Sequence, residues 1–184
     1  FRAAKPTRWV RFVSDVLTFS AARPDMSPLL MVVVAAVLVL DQFSKWLIRT
    51  TFLPGESRPV IGDVFHLTYY HNSGMAFGFM QGFSGWIAAF SVVAIGFLFY
   101  LYRKFEKQKA ATKIATVSLG LIIGGACGNL VDRLVVSSVV DFLDFGLGNY
   151  RWPAFNVADI CISTGVGLLV LFSARVPDSP ESGA

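Results

Sequence analysis

Four long apolar runs constrain the fold of this 184-residue chain more than any other feature of its sequence. They cover residues 28–48, 82–102, 114–131 and 157–173, and few charges interrupt them. A helix needs ~20 apolar residues to cross a hydrocarbon layer ~30 Å thick, and lipid offers the backbone no hydrogen-bond partners. The sequence therefore predicts an all-α integral membrane protein with four transmembrane helices.

The composition agrees with a membrane protein and argues against several other classes. Apolar residues make up 54% of the chain and charged residues only 15%, whereas an ordinary soluble domain is about 25% charged. Two histidines and two cysteines, Cys127 and Cys161, are too few for a zinc ribbon or a disulfide framework, and we expect free thiols. The sequence has no HExxH, P-loop or GxGxxG motif, so we expect no metal and no cofactor.

The sixteen basic residues are distributed unevenly along the chain. Five of them lie between the second and third runs, against the single acidic Glu106; they are Arg103, Lys104, Lys107, Lys109 and Lys113. Such an excess is typical of the cytoplasmic side of a membrane protein. With four spans both termini lie on that side, in agreement with five basic residues before Pro28 and with Arg175 near the end. Topology thus explains the net charge of +4, and we expect no nucleic-acid partner.

The spans divide the chain into three parts. These are a basic amino-terminal segment (1–27), a four-helix membrane domain (28–175) and a cytoplasmic tail (176–184). The first segment mixes apolar side chains with arginines, so it forms either an interfacial helix or a flexible basic tail. Because Phe1 is not a natural start, we expect that the chain has been trimmed or processed.

Two segments join the spans on the outer side. Residues 49–81 contain prolines and glycines as turn signals, and then an aromatic and β-branched stretch at 64–70 that predicts short strands. Residues 139–153 are fewer and also aromatic. We expect both segments to rest at the headgroup level and to form a platform or lid. The aromatic residues expected in it include Phe65, Tyr69, Tyr70, Phe77, Phe142 and Trp152.

Four of the twelve carboxylates fall where the chain is expected to meet lipid. Asp41 lies 13 residues into the first run, ~20 Å along a helix, and Asp159 lies at the start of the last run. Asp132 ends the third run, and Asp141 follows in the short outer segment. A charge at such a depth costs ~3 kcal/mol on insertion scales, so each of these carboxylates needs a partner or a function.

The four carboxylates differ in their sequence neighbours. Asp41 and Lys45 are four residues apart on one helix, and Asp132 precedes Arg133, so we interpret both as charge pairs that fix packing. Asp141 and Asp159 have no basic residue within four positions. Two unpaired carboxylates in a low-dielectric site cannot both ionise easily, and sharing one proton is the arrangement of aspartic proteases.

Two amide side chains share helix faces with these carboxylates. Asn129 lies three residues before Asp132 and four before Arg133, and Asn156 lies three before Asp159. Residues at these spacings are neighbours on one helix face. We therefore expect the amides and the guanidinium to orient carboxylates or a substrate backbone.

Linked motifs carry a family resemblance. They read DQFSKW at residues 41–46, NSGMAFG at 72–78, GGACGNLVDR at 124–133 followed by VVDF at 139–142, and FNVAD at 155–159. Together they closely resemble the lipoprotein signal peptidases, also called signal peptidase II, over about residues 28 to 175. One departure is His71, which stands where family members often have arginine, and it leaves the role of that edge open.

The resemblance implies a function and a set of site residues. It implies a monomeric intramembrane aspartic endopeptidase of the bacterial inner membrane, which removes signal peptides from diacylglyceryl-modified prolipoproteins with the catalytic pair Asp141 and Asp159. The active site then faces the outer side, and membrane lipid is the other partner. The resemblance further implies a substrate site lined by Asn72, Gly74, Asn129, Arg133 and Asn156. The structural polar residues are Asp41, Lys45 and Asp132.

Other interpretations of the residues stay open at this point. Intramembrane carboxylates also occur in proton or ion carriers, although such carriers commonly show repeats that this chain lacks. A structural partner of another membrane enzyme would need Asp141 and Asp159 only to be polar. Residues 82–85 form a GxSG sequence, but its serine lacks a base, because His66 and His71 precede it in a loop.

Overall fold

A computed structural model describes residues 27–74, 79–107, 112–148 and 150–173 of the chain. Its elements, in chain order, are helix α1 (Pro28–Thr51), strands β1 (Ser57–Ile61) and β2 (Phe65–Asn72), helices α2 (Ser84–Lys107) and α3 (Lys113–Val136), strands β3 (Val139–Leu147) and β4 (Tyr150–Arg151), and helix α4 (Val157–Ser173). The predicted combination of apolar helices with a small β-containing segment is confirmed.

Within the described residues, three helices are long and apolar enough to cross a membrane, over Pro28–Thr51, Ser84–Lys104 and Lys113–Val136. Helix α4 is apolar, but its 17 residues are fewer than a full span requires. The fourth transmembrane helix therefore stays a prediction. The interfacial helix predicted before Pro28 and the tail after Ser173 lie outside the described residues.

Local chemistry explains where the long helices begin and end. Pro28 occupies the start of α1, where its missing N–H costs no helical hydrogen bond. Helix α3 begins after Thr112, whose hydroxyl oxygen accepts the N–H of Ala115 at 3.2 Å. It ends at Ser137, which adopts the left-handed conformation with φ 56°. The apolar run itself ends at Val131, and α3 continues past it through Asp132 and Arg133 to Val136.

Helix α3 contacts the other three helices, and closely approached glycines lie at its contacts with α1 and α4. A Cβ on Gly124 would lie 2.8 Å from Cβ of Val37 on α1, and a Cβ on Gly125 would lie 2.5 Å from the carbonyl oxygen of Ala158 on α4. Small residues at helix contacts let backbones approach closely, and this is the main packing device where water supplies no driving force. The glycines of α3 thus bring α1 and α4 together at the level of the acidic residues.

The four strands form one antiparallel sheet in the order β1-β2-β3-β4. The strand structure predicted for residues 64–70 is confirmed as β2, whereas β1 lies among the residues that had been interpreted as turn signals. The segment 139–153, recognised only as aromatic, also contributes two strands. The register of β2 on β3 pairs Tyr70 with Asp141, and this brings the end of β2 to the start of β3.

A small apolar cluster fixes this sheet on the end of α1. Its buried members are Ile48, Phe52, Tyr69, Val140 and Phe142. Burying a side chain of this size contributes ~1.5–3 kcal/mol, so the cluster determines where β3 lies. Tyr69 and Phe142 are therefore core residues and not part of the predicted lid. Phe77, which was also predicted in the lid, lies outside the described residues.

Candidate active site

Asp141 and Asp159 line one cavity of about 990 Å³, although they belong to different elements. Asp141 is the third residue of β3 and is only 2% exposed. Asp159 lies in the first turn of α4 and is partly buried. Among the described residues, neither carboxylate has an ion-pair partner within 4.0 Å. The sequence prediction that these two lack a basic partner therefore holds in three dimensions.

Asn156 contacts both carboxylates and is completely buried. Its side-chain Nδ2 donates to Oδ1 of Asp141 at 2.7 Å. Its Oδ1 accepts the backbone N–H of Asp159 at 3.0 Å, and Oδ2 of Asp159 accepts the backbone N–H of Asn156 at 3.2 Å. This reciprocal pair is a capping box at the start of α4. The cap that begins the helix thus also orients the two acids.

Two further asparagines each hold one carboxylate. Asn72, at the end of β2, donates from Nδ2 to Oδ2 of Asp141 at 2.9 Å. Asn129, on α3, donates from Nδ2 to Oδ1 of Asp159 at 2.9 Å. Because these donors are neutral amides, they fix the positions of the two carboxylates and supply no positive charge to them.

The electrostatics of Asp141 follow from this environment. Burial, together with the neighbouring charge of Asp159, raises the pKa of Asp141 from its ordinary value of 3.8 to about 7. The hydrogen bonds from Asn72 and Asn156 and the charge of Lys45 act in the opposite direction. A carboxyl group with a pKa near 7 can hold or release a proton at neutral pH, as an acid–base catalyst must.

A buried ion-pair network lies behind the two carboxylates. Nζ of Lys45 lies 2.8 Å from Oδ2 of Asp41 and 3.1 Å from Oδ2 of Asp132, with all three side chains fully buried. The predicted pair of Asp41 and Lys45 is therefore confirmed. Arg49 adds a 2.5 Å contact from Nη2 to Oδ1 of Asp132.

The predicted pair of Asp132 and Arg133 is wrong. Adjacent residues on a helix project about 100° apart, so Asp132 points toward α1 while Arg133 takes a different direction. Nη2 of Arg133 donates to the carbonyl oxygen of Gly74 at 3.1 Å, and Nη1 donates to that of Asn129 at 3.3 Å. Asp132 pairs instead with Lys45 and Arg49.

Gly74 lies in a tight turn that is tied to Asn72. The N–H of Gly74 donates to Oδ1 of Asn72 at 3.0 Å, which leaves the Asn72 amide nitrogen directed at Asp141. A Cβ at position 74 would lie 2.5 Å from the carbonyl oxygen of Phe79, so the close approach requires glycine. All seven residues implied for the catalytic pair and the substrate site therefore meet in one place; they are Asn72, Gly74, Asn129, Arg133, Asp141, Asn156 and Asp159.

Comparison with known families shows to which family the chain belongs. The family model described as signal peptidase (SPase) II matches residues 33–175. The chain belongs to the signal peptidase II family. It is a peptidase of the membrane.

Curated relatives and solved structures agree with the family. The chain is 43% identical over 152 residues to a lipoprotein signal peptidase of Syntrophus aciditrophicus, covering 78% of this chain and 92% of that protein. It is 46% identical over 141 residues to one of Brevibacillus brevis, covering 76% and 90%. Two solved structures described as bacterial membrane enzymes are similar to it. One has a TM-score of 0.72 at 27% identity and covers 84% of this chain and 93% of that one; the other has 0.68 at 30% and covers 82% and 94%.

Two residues of the network behind the two carboxylates, Arg49 and Gln42, were not predicted from the sequence. Arg49 follows Lys45 by four residues on the same helix face, a spacing that would have revealed it. Gln42 donates from Nε2 to Oδ1 of Asp132 at 3.3 Å and to the carbonyl oxygen of Gly128 at 3.1 Å. No spacing rule indicates these long-range contacts of Gln42.

His71, the family departure, is not directed at either carboxylate. Its Nδ1 lies 2.9 Å from Oγ of Ser138, and its ring packs on Tyr69 with centroids 4.8 Å apart. It therefore fixes the edge of the sheet beside Asn72.

The cavity continues away from the two acids in two directions. On the sheet it is lined by Thr68, Asp144 and Arg151, with Nε of Arg151 2.7 Å from Oδ1 of Asp144. Along α4 it is lined by Ile160 and Ser163, among others. Among the described residues, no group of three His, Cys, Asp or Glu side chains is placed to hold a metal ion, and both cysteines are free thiols.

Proposed function

We propose that this protein is an intramembrane aspartic endopeptidase that removes the signal peptide from diacylglyceryl-modified prolipoproteins, with Asp141 and Asp159 as its catalytic pair. One observation carries the proposal: two carboxylates that have no counter-ion among the described residues line one cavity and are held by neutral amides. The relatives named lipoprotein signal peptidase support the substrate class.

The chemistry follows from a pair that shares one proton. The ionised carboxylate takes a proton from a water molecule, and the oxygen of that water attacks the scissile carbonyl carbon. The protonated partner gives its proton to the carbonyl oxygen, so that a gem-diol forms. The amine then leaves with the proton held by the first carboxylate, while a hydroxyl of the gem-diol returns a proton to the second carboxylate, and the pair is back in its starting state.

The surrounding amides have a defined task in this mechanism. Asn72 and Asn156 donate to the two oxygens of Asp141, and Asn129 donates to Asp159, so each carboxylate is held in one orientation. Fixed donors that need no rearrangement stabilise charge as the reaction proceeds. The proton belongs to the coupled pair, so a kinetic pH profile reports apparent values for both acids together.

The substrate explains why this site lies beside apolar helices. The lipid-modified cysteine keeps its acyl chains in the bilayer, so the scissile bond has to approach at headgroup depth. The cavity suits that approach, because one end follows the sheet and the other follows α4. We infer that the enzyme lies in the bacterial cytoplasmic membrane and acts as a monomer. The basic segment between α2 and α3 supports an orientation with that segment and both termini inside and the site toward the outer face.

The test is cleavage of a purified lipid-modified precursor by Asp141→Asn and Asp159→Asn variants in detergent. We expect each substitution to lower kcat on the order of 10³-fold or more, because it removes an acid–base group, while the protein stays folded. Asp63→Asn is the matched control, since Asp63 is exposed in the turn between β1 and β2. Cleavage at the control's rate by either catalytic variant would refute the assignment.

A further inference from the structure

Lys45 uses all three of its hydrogen-bond donors inside the protein. Its side chain is fully buried, and its Nζ lies within 3.1 Å of Asp41 and of Asp132. The third contact goes to Oδ1 of Asn129 at 2.9 Å. An ammonium group has three donors, so one of them is committed to an amide that itself contacts Asp159.

That third contact determines which way the amide of Asn129 points. Its oxygen accepts from Lys45 at 2.9 Å and from Nδ2 of Asn156 at 3.2 Å. The opposite orientation would direct two N–H groups at an ammonium and at another amide N–H. The nitrogen is therefore the atom that remains for Oδ1 of Asp159, at 2.9 Å.

The charges behind the catalytic pair are balanced. Lys45 and Arg49 together match Asp41 and Asp132 one for one. Packing alone would need only this balance, and replacing a buried ion pair by neutral groups of similar volume is often harmless to stability. The contact with Asn129 goes beyond what the balance requires.

We propose that Lys45 is a positioning residue for the catalytic pair, which acts through Asn129 to hold the carboxylate of Asp159 in its reactive orientation. Lys45 was assigned only a packing role from the sequence. This inference rests on the proposed function, since it requires that Asp159 is catalytic.

The charge of Lys45 also contributes to the acid–base behaviour of the pair, since it lowers the pKa of Asp141. The charged groups around the pair come from each element packed against it. They are Asp41, Lys45 and Arg49 on α1, His71 on β2, Asp132 and Arg133 on α3, Asp144 on β3 and Arg151 on β4. Of these groups only Lys45 contacts an amide side chain that itself contacts a catalytic carboxylate.

The test removes the ammonium in two variants that keep the net charge. The double variant Asp41→Asn with Lys45→Met leaves Asp132 paired with Arg49, and the new amide oxygen can still accept the N–H of Ala158, as Asp41 does at 3.0 Å. The second double variant, Asp132→Asn with Lys45→Met, removes the same ammonium; Asp41 then lacks its ion-pair partner and keeps the donors Nε2 of Gln42 and the N–H of Ala158. A shared phenotype then belongs to Lys45, because the two variants differ in the carboxylate that is changed.

We expect kcat to fall about 10- to 100-fold in both double variants, because a misplaced reacting group costs rate, while KM stays within about twofold. In the variant that retains Asp41, the pH of half-maximal activity on the acidic side moves up by about half a unit, since a cation that favours the ionised carboxylate is lost. The shift is smaller in the other variant, because it also loses the negative charge of Asp41. Glu56→Gln with Arg58→Met is the matched control, because it neutralises an exposed pair with Nε 2.7 Å from Oε1.

A rate and a pH profile equal to the control's in both double variants would overturn the proposal. A lower melting temperature with an unchanged kcat would also overturn it, and so would failure of both variants to fold, because Lys45 would then serve stability alone. The catalytic assignment is checked separately with Asp141→Asn and Asp159→Asn. If those variants cleave normally, the proposed function fails. If they are inactive, the difference between the double variants and their control reports the role of Lys45.

Discussion

Asn156 donates a hydrogen bond to Asp141 across 2.7 Å while it also forms the amino-terminal cap of helix α4. The residue that caps helix α4 thus also contacts the candidate catalytic pair. The arrangement couples the position of α4 to the position of β3, because both carboxylates are attached to one completely buried amide. Stability and activity therefore depend on different atoms of the same side chain, and they can be separated by substitution.

Asn156→Ser separates the two roles. A serine hydroxyl caps a helix almost as well as an amide, but it cannot reach Asp141 with a second donor. Both Asn156→Ser and Asn156→Ala lose the buried amide donor, but only serine keeps the cap, so we expect Asn156→Ser to retain about 1 kcal/mol more unfolding free energy than Asn156→Ala. Both variants are expected to lose about 100-fold or more in kcat, because the donor to Asp141 is gone. Thermal unfolding and precursor cleavage measure the two effects, and full activity in Asn156→Ser would contradict the shared role.

Gly128→Ala is expected to displace Asp41 from the buried ion-pair network. A Cβ at position 128 would overlap the side chain of Asp41, with its Cγ at 3.0 Å. Overpacking of this kind typically costs about 1–3 kcal/mol. Gly96→Ala on α2 is the matched control, since a Cβ there meets nothing within 4 Å. Thermal unfolding of the two variants in the same detergent checks the difference, and equal melting temperatures would show that α1 and α3 can move apart without cost.

The sequence was sufficient to predict much of the helical frame and of the site. The fourth apolar run matches α4 residue for residue, because hydrophobic length is a local property of the chain. The pairing of Asp41 with Lys45 was also predictable, since residues four apart share a helix face.

Contacts between distant segments were not predictable in the same way. The pairing of Asp132 with Lys45 depends on how α1 packs on α3, and the contact of Asn72 with Asp141 depends on the register of β2 on β3. A one-residue change of register would move the side chain to the other face of the sheet, and no local pattern in a single sequence fixes it.

The stability of the folded protein is expected to depend on pH through Asp141. Its pKa is about 7 in the folded protein, against an ordinary value of 3.8, because it is buried beside Asp159. The folded state therefore binds this proton more tightly than the unfolded chain does, and its stabilising effect is lost as the pH rises through about 7. As the pH rises from 3.8 to about 7, we therefore expect the melting temperature of the parent to fall relative to that of Asp141→Asn. Parallel curves for the two proteins from pH 3.8 to about 7 would contradict the raised pKa.

Arg133→Lys tests whether geometry or charge matters at the turn beside the catalytic pair. The guanidinium donates to the carbonyl oxygens of Gly74 and Asn129 with two nitrogens, 3.1 and 3.3 Å away. A lysine keeps the charge but presents it from a single nitrogen, so it cannot hold both carbonyls in this geometry. The turn at Gly74 positions Asn72, which donates to Asp141, so the lost contact is expected to lower kcat/KM about tenfold. Arg58→Lys, at an exposed arginine that does not line the cavity, is the control and should retain full kcat/KM. If Arg133→Lys matches that control, positive charge alone explains the role of Arg133, and its two hydrogen bonds do not position the turn.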